Sequence, residues 1–344
     1  MNKPVIILGG GIWGCLLAYK LKESLPDVEF TLYEESSVLG RHEVWTFRES
    51  DCLESISWLR PLISKSWYEH RINLNDSQKT YHGPCHLIDG QNIHKILLEN
   101  LPSHCIRLNN PITLELAVQE SSFVIDTREV CHFKKCSYKH SLTMEVELQL
   151  NHGLNAPVLF DTRISNDDSL RIFSYFPLSP NVLLIKDSCF SHDLSMSFES
   201  RRSEISSAIL NLGWRVEKVL KEEMSTTVLP TSKPIYFQEG RVISLAGLSH
   251  DITGCSIPHA TKLIERIVNT SFRFGEIKEI VSGFRCEIER DRSFLRYVNK
   301  LIVQKKSHHL MEFIYKEPEL LENFSRGRLN FIERSRILWE HHFH

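Results

Sequence analysis

Three glycines near the start of the chain have the spacing of a nucleotide-binding turn. Gly9, Gly11 and Gly14 form the pattern G-x-G-x-x-G directly after the apolar, β-branched residues 4–8. Glycine at these positions permits positive φ in the turn and lets the next helix pack closely on the strand. It also leaves backbone N–H groups open to a pyrophosphate. The chemistry expected at this turn is therefore binding of a dinucleotide at the N-terminus of a helix.

The segments around this turn predict a βαβ unit that positions it. Residues 4–8 have the pattern of a strand and residues 16–25 that of a helix. Residues 28–33 alternate as a second strand, which ends at Glu34. In such a unit the glycine turn lies at the carboxyl edge of two parallel strands, and an acidic residue after the second strand binds ribose hydroxyls. We therefore predict that Glu34 binds the ribose.

FAD and NAD both bind at a first turn of this kind, so other segments decide between them. Gly40 and Arg41 follow soon after the second strand, and an apolar run at residues 241–248 leads into Thr253 and Gly254. A late strand and glycine turn of this kind bring a second backbone segment to the flavin ring of large flavoproteins. We therefore predict FAD, with these cofactor-binding residues: Gly9, Gly11, Gly14, Glu34, Arg41, Asp126, Gly247, Thr253 and Gly254.

The rest of the chain predicts an antiparallel sheet and a helical end. Residues 36–87 have a loop-rich composition, and residues 131–190 contain runs of alternating polarity that are typical of antiparallel strands. Residues 199–223 and those from 287 to the end have helical patterns. The predicted fold class is α/β, with a Rossmann-like FAD-binding lobe (residues 1–130 and 230–275), an antiparallel-sheet substrate lobe (131–229) and a helical C-terminal part (276–344).

Composition excludes several classes of function. The 344 residues include 41 Lys and Arg against 43 Asp and Glu, so no basic footprint for nucleic acid is expected. The nine cysteines form no CxxC pair, and the terminal trio of His341, His342 and His344 is more typical of a frayed tail than of a metal cluster, so we expect neither a disulfide framework nor a metal site. No run of about 18 apolar residues predicts a spanning helix. A cytoplasmic protein is predicted.

Five blocks of the sequence are similar to motif segments of one known protein family. Residues 40–47 (GRHEVWTF) are similar to that family's GGNHTWSF segment, and residues 157–161 (PVLFD) to its PIxMD strand. Residues 176–187 (FPLSPNVLLIKD) are similar to LPLSxxxLLIED. Residues 247–258 (GLSHDITGCSIP) are similar to GLFHPTTGYSLP, and residues 324–338 (FSRGRLNFIERSRIL) to FYAGRLxxxDKxRIL. The five blocks keep the order and spacing of these segments, so the chain resembles the bacterial flavin-dependent lycopene β-cyclases.

The resemblance implies an FAD-containing, NAD(P)H-dependent enzyme that closes a β-ionone ring at the end of a linear carotene without net oxidation. It also implies that reduced flavin stabilises positive charge while a carboxylic acid handles protons. Protonation of a terminal alkene creates a tertiary carbocation, which requires a strong acid, an apolar shell that excludes water, and a base. The implied partner is a lipophilic small molecule.

The chain departs from this family at the residue implied to be the acid. Lys186 stands where the IED segment has glutamate, so an ammonium group replaces a carboxylate. We expect weak cyclisation unless a nearby carboxylate takes over, and the candidates in order of preference are Asp187, Glu43 and Glu223. In an ideal strand, however, Asp187 and Lys186 face opposite sides. His250, in the fourth block, is expected to contact flavin or substrate.

Several of these residues also have a structural interpretation. Glu43 is either a replacement acid or a surface charge, and His250 is either a ligand contact or a hydrogen-bonded loop histidine. Asp126 lies near the cofactor or caps its strand. Glu222 and Glu223 end the helical pattern at residues 199–223, where they would belong to its solvated face.

Two other functions fit the same predicted fold. One is reduction or hydroxylation of another lipophilic or secondary-metabolite substrate, with Lys186 binding an anionic group. The other is flavin binding without turnover. Peripheral contact with the inner membrane face is also expected, because a carotene is insoluble in water. Residues 285–310 mix apolar and basic side chains, which suits either anionic lipid or a helix packed on the core.

Overall fold

A computed structural model describes residues 3–41, 43–128, 132–133, 135–163, 170–235, 240–248, 256–304, 307–326 and 328–343. The chain divides into two compact units. Unit 1 consists of Met1–Ser66, His86–His132 and Pro234–Arg290. Unit 2 consists of Trp67–Cys85, Phe133–Lys233 and Asp291–His344.

Strands and helices are numbered in chain order. The strands are β1 (Val5–Leu8), β2 (Phe30–Tyr33), β3 (Val44–Arg48), β4 (Lys65–Asn73), β5 (Gln78–Asp89), β6 (Ile106–Arg107), β7 (Val124–Asp126), β8 (His132–Phe133), β9 (Cys136–Leu148), β10 (Val158–Asp161), β11 (Arg171–Pro177), β12 (Val182–Ser191), β13 (Val216–Pro230), β14 (Pro234–Ile235) and β15 (Val242–Ser244). The helices are α1 (Ile12–Ser24), α2 (Ile56–Leu59), α3 (Gly90–Asn100), α4 (Leu114–Glu120), α5 (Phe198–Asn211), α6 (Ile257–Val268), α7 (Phe274–Leu301), α8 (Ser307–Lys316), α9 (Pro318–Arg326) and α10 (Phe331–Phe343).

Unit 1 contains a five-stranded parallel sheet in the order β15-β7-β1-β2-β6. Successive β1 side chains point to opposite faces of this sheet. Ile7 joins a large core with residues of α1, α3, α6 and α7, whereas Ile6 and Leu8 pack with Ala117 of α4. Apolar residues of β1 are therefore buried on both faces, as expected for a parallel sheet covered by helices. The predicted βαβ unit and fold class are confirmed.

An eight-stranded sheet, largely antiparallel, follows the order β13-β9-β12-β11-β10-β4-β5-β3. One of its faces packs against α5. On that face, Leu142, Met144 and Ile185 form a buried cluster with Ile205 and Ile209 of α5. Because strand side chains alternate, the residues between these apolar positions point to the opposite face of the sheet.

The prediction of one helix over residues 199–223 is wrong. Helix α5 ends at Asn211, and Gly213 adopts φ +79°, a left-handed conformation that terminates helices. The chain then forms β13, which pairs with β9 along nearly its whole length. A charged segment with few apolar residues fits both the helical and the strand period. Pairing with β9, which is distant in sequence, makes this segment a strand. Glu222 and Glu223 are therefore strand residues.

The predicted lobe boundaries differ from the compact units in two places. Residues 36–87, expected to be loop-rich, contain β3, β4 and β5, and Trp67–Cys85 belongs to unit 2. The reason is that β4 pairs in parallel with β10. The expected helical C-terminal part is not a separate unit, since α7 runs from unit 1 into unit 2 at Arg290. Its helical character is confirmed in α7, α8, α9 and α10.

The segment expected to face lipid has most of its large apolar side chains buried, although Tyr297 is 36% exposed. Phe284, Leu295, Leu301 and Ile302 are each less than 5% exposed. This burial favours the alternative of a helix packed on the core. Among the residues that the structure describes, no helix is both long enough and apolar enough to cross a membrane.

Candidate functional site

The glycine turn between β1 and α1 has room for a ligand at one position and close packing at the others. A Cβ atom on Gly14 would lie 1.9 Å from the carbonyl oxygen of Gly9, and Gly9 itself has φ +99°. A Cβ atom on Gly11 would meet no described atom within 4 Å. Gly11 is also the N-cap of α1, and no hydrogen bond from a described side chain caps that helix. The open N-terminus fits the pyrophosphate of a dinucleotide.

Glu34 is fixed directly against this turn. Its carboxylate is buried and accepts hydrogen bonds from the backbone N–H of Gly10 at 2.7 Å and of Ser36 at 2.9 Å. The same carboxylate contributes to the environment of Cys15, whose thiol has its pKa raised mainly by burial. Glu34 therefore lies where the predicted unit requires it, and its contact with a ribose stays a prediction.

The end of β7 brings a basic residue to the turn. Thr127 donates a hydrogen bond through Oγ1 to the carbonyl oxygen of Leu8 at 2.8 Å. Arg128 contacts Asp126 through Nε at 2.8 Å and through a terminal nitrogen at 2.7 Å, which raises the pKa of the guanidinium. A Cβ atom on Gly9 would lie 2.9 Å from Cγ of Arg128.

Arg128 is a candidate cofactor contact that the sequence analysis did not select. It lies two residues after Asp126, at the end of an apolar strand. This position is the sequence feature that could have identified Arg128 as a candidate. The parallel register aligns Leu8 with Tyr33 and with Asp126, so the three strand ends meet at one edge of the sheet. Arg128 therefore joins the predicted cofactor residues at the edge where parallel sheets bind ligands.

The remaining predicted cofactor residues have separate positions. Arg41 has φ +48° and forms an exposed ion pair with Glu35 at 2.8 Å. Gly247, with φ +67°, follows β15. Arg285 of α7 stabilises this region by donating to the carbonyl oxygens of Ser244 and Ala246. The further predicted residues Thr253, Gly254 and His250 lie outside the described residues.

Asp187 lies on the face of the large sheet that packs against α5. Its side chain is fully buried and accepts hydrogen bonds from Nε and a terminal nitrogen of Arg171, at 2.9 and 2.7 Å. A terminal nitrogen of Arg201 lies 2.7 Å from the same carboxylate. Burial opposes the charge on Arg171, but these contacts raise its pKa overall. Asp187 therefore holds the half-buried Arg171 and the buried Arg201, and its part in proton transfer stays a prediction.

Lys186 is half-buried and points to the opposite face. Its neighbours across the sheet are Thr143 on β9 and Ser174 on β11. On the far side of Thr143, the register places Glu223 of β13. The four residues Glu223, Thr143, Lys186 and Ser174 form one row across the sheet, termed the Lys186 row below. Glu43 is half-buried in unit 1, where its carbonyl oxygen accepts from Gly90 N–H at 2.9 Å.

Comparison with protein families and characterised proteins gives one consistent result. A family model described as lycopene cyclase protein matches residues 4–344. A lycopene beta-cyclase from Pantoea ananas is 24% identical, over 97% of this chain and 93% of that protein. A lycopene beta-cyclase from Pseudescherichia vulneris is 26% identical, over 98% of this chain and 93% of that protein.

Two solved structures are similar in fold. The p-nitrophenol 4-monooxygenase from Pseudomonas putida aligns with a TM-score of 0.65 and 14% identity, over 95% of this chain and 98% of that chain. A geranylgeranyl bacteriochlorophyll reductase-like protein from Thermoplasma acidophilum aligns with a TM-score of 0.60 and 10% identity, over 98% of this chain and 96% of that chain. At these identities the similarity concerns the fold alone.

Proposed function

Since the chain belongs to the lycopene cyclase protein family, we propose that it is an FAD-dependent enzyme that closes a ring at the end of a long apolar polyene. The family match over residues 4–344 carries this proposal. The relatives named lycopene beta-cyclase support the choice of substrate, although their low identity makes this chain a divergent member.

The glycine turn supports FAD as the cofactor. Backbone groups of Gly9, Gly11 and Gly14 would hold the pyrophosphate at the N-terminus of α1, and Glu34 would hold the ribose. Arg128 adds a positive charge at the same edge of the parallel sheet. Reduced FAD, when bound, would supply an electron-rich group that stabilises positive charge. We propose NAD(P)H as its reductant.

A second candidate function is reduction or hydroxylation of a lipophilic substrate that carries an anionic group. The observation that favours it is Lys186, a half-buried ammonium in a row with the hydroxyl-bearing Thr143 and Ser174. An ammonium group and hydroxyl groups of this kind are suited to hold a carboxylate or a phenolate.

The experiment that separates the two candidates is carotenoid analysis of a lycopene-producing bacterial host. Expression of this chain is expected to convert lycopene to products with β-rings, and the Gly11→Val variant and an empty vector serve as controls. Unchanged lycopene, together with a purified protein that retains flavin, would refute carotene cyclisation and favour the second candidate. Bleaching of the bound flavin by NADPH or NADH without oxygen tests the reductant.

We also propose peripheral contact with membrane lipid, through α10. Ile332 and Trp339, seven residues apart, share one face of this helix, and Phe331 lies beside them. The three side chains are 69%, 57% and 83% exposed. Exposed apolar residues grouped on one helix face suit the membrane interface. Leu150, which is 81% exposed elsewhere in unit 2, provides a matched control.

Sedimentation with vesicles containing anionic lipid tests this contact. Phe331→Ser and Ile332→Ser are expected to reduce pelleting, whereas Leu150→Ser is not. Equal pelleting of all three variants, or no pelleting of the unchanged protein at low salt, would count against the contact.

A further inference from the structure

Two adjacent glutamates on β13 point to opposite faces of the large sheet. Glu222 pairs in register with Met144, which lies in the cluster beneath α5. Its Oε1 atom lies 2.9 Å from Nε of Arg202, a residue of α5. Because neighbouring side chains in a strand alternate, Glu223 points to the other face. That face also carries Lys186.

The strand register then brings Glu223 and Lys186 into one row. Glu223 is opposite Thr143, and Thr143 is opposite Lys186. Two strand spacings separate the backbones of Glu223 and Lys186, about 10 Å in total. The two long side chains can span this distance over the short threonine between them. Atom Oε2 of Glu223 is shielded from solvent, so this carboxylate is not a fully hydrated surface charge.

Two other carboxylates near Lys186 have different surroundings. Asp187 points to the opposite face, where Arg171 and Arg201 hold it. Glu145 lies on the same face as Lys186 but in the next row, directly opposite Lys221. Glu223 is therefore the carboxylate that shares a row with Lys186.

We infer that Glu223 is the acid-base residue of this chain and that Lys186 is the residue that positions it. This inference rests on the proposed function. The carboxyl group that the resemblance implies at position 186 is instead supplied from β13, two strands away. The ammonium of Lys186 stabilises the carboxylate that remains after a proton has left it.

The chemistry is balanced without an external oxidant or reductant. The carboxyl O–H bond breaks while a C–H bond forms at the terminal alkene, and the neighbouring alkene closes the ring onto the resulting cation. A ring C–H bond then breaks to form the new double bond, and its proton returns to Glu223. The product is an isomer of the substrate, and the carboxylic acid is regenerated.

Variants of the two adjacent glutamates test the role in the reaction. In a lycopene-producing host, Glu223→Gln is expected to lower β-ring formation by about 100-fold or more, the usual contribution of general acid-base catalysis. Glu222→Gln is the matched control and is expected to retain the product. Flavin content of each purified variant establishes that both fold. Product formation by Glu223→Gln at the level of the unchanged chain would overturn the inference.

A second measurement tests the pairing of Glu223 with Lys186 without relying on activity. Lysines of the full-length protein are dimethylated with ¹³C and titrated by NMR, and the Lys186 signal is identified by its loss in Lys186→Arg. We expect Glu223→Gln to lower the pKa of Lys186, because a nearby negative charge is removed. Glu222→Gln and Glu145→Gln are expected to change it less. A Lys186 pKa that is insensitive to Glu223→Gln would overturn the pairing.

The two measurements separate the possible failures. If the unchanged chain forms no cyclic carotene, the proposed function is refuted and the role of Glu223 in it is refuted as well. The titration then still decides whether the two residues share one electrostatic site. If the chain cyclises lycopene and Glu223→Gln does so equally well, only the assignment of Glu223 is wrong.

Discussion

Replacing Gly11 by valine is expected to remove flavin while leaving the fold intact. A Cβ atom at Gly11 meets no described atom within 4 Å, and the residue has φ −71°, which any amino acid adopts. The apoprotein is therefore expected to lose only about 1 kcal/mol, because valine is a poorer N-cap than glycine. The same side chain would occupy the space expected for the pyrophosphate.

The loss of binding can be estimated from the contacts that a phosphate makes. A hydrogen bond to a charged group is worth about 1.5–3 kcal/mol, so losing two backbone contacts costs about 3–6 kcal/mol. This corresponds to an increase in the Kd for FAD of about 10²- to 10⁴-fold. Flavin absorbance per protein after purification, and titration of the apoprotein with FAD, measure this effect.

Gly14→Ala provides the contrasting control for Gly11→Val. Its Cβ atom would lie 1.9 Å from the Gly9 carbonyl oxygen, so α1 must move and the apoprotein is expected to lose about 3 kcal/mol. Thermal unfolding of both apoproteins separates the two effects. Full flavin content in Gly11→Val, or unfolding at the same temperature as Gly14→Ala, would refute this account of the turn.

Three further predictions concern unit 2. Asp187→Asn is expected to lower the free energy of unfolding by about 3 kcal/mol in denaturant titrations, because it removes the buried carboxylate that Arg171 and Arg201 share and leaves them only the exposed Glu204; a loss below about 1 kcal/mol would contradict this role. Lys186→Met is expected to lower β-ring formation in the lycopene-producing host, because it removes the ammonium that stabilises the Glu223 carboxylate; an unchanged amount of product would contradict the positioning role of Lys186. Burial raises the pKa of the Cys189 thiol to about 11, so at pH 8 it is expected to react with iodoacetamide more slowly than the exposed Cys286; mass spectrometry would show equal rates if this is wrong.

The βαβ unit and its glycine turn could be predicted from the sequence because their signals are local. Positions 9, 11 and 14 lie within one turn, and the strand and helix beside them differ in the period of their apolar residues. The helices that the structure describes after residue 287 could be predicted for the same reason. The five family-like blocks predicted membership of the family, which the match over residues 4–344 confirms.

Features that depend on pairing between distant segments could not be predicted in this way. Residues 216–230 form a strand because β9, about 80 residues earlier, offers a partner. Arg128 reaches the glycine turn because β7 lies beside β1 in the parallel sheet. Neither of these strand pairings can be predicted from the residues adjacent in sequence.

The candidate acid-base site shows most clearly the difference between what local sequence predicts and what the pairing of distant strands determines. The sequence by itself led us to predict that Lys186 replaces an expected carboxylate and that Asp187, Glu43 and Glu223 are the candidates to substitute for it. Only the tertiary structure decided which of them shares a row with Lys186. Register across three strands places Glu223 and Lys186 in one row, while alternation along β12 turns Asp187 towards Arg171 and Arg201. Backbone hydrogen bonding between strands sets that register, and it joins residues that are far apart along the chain.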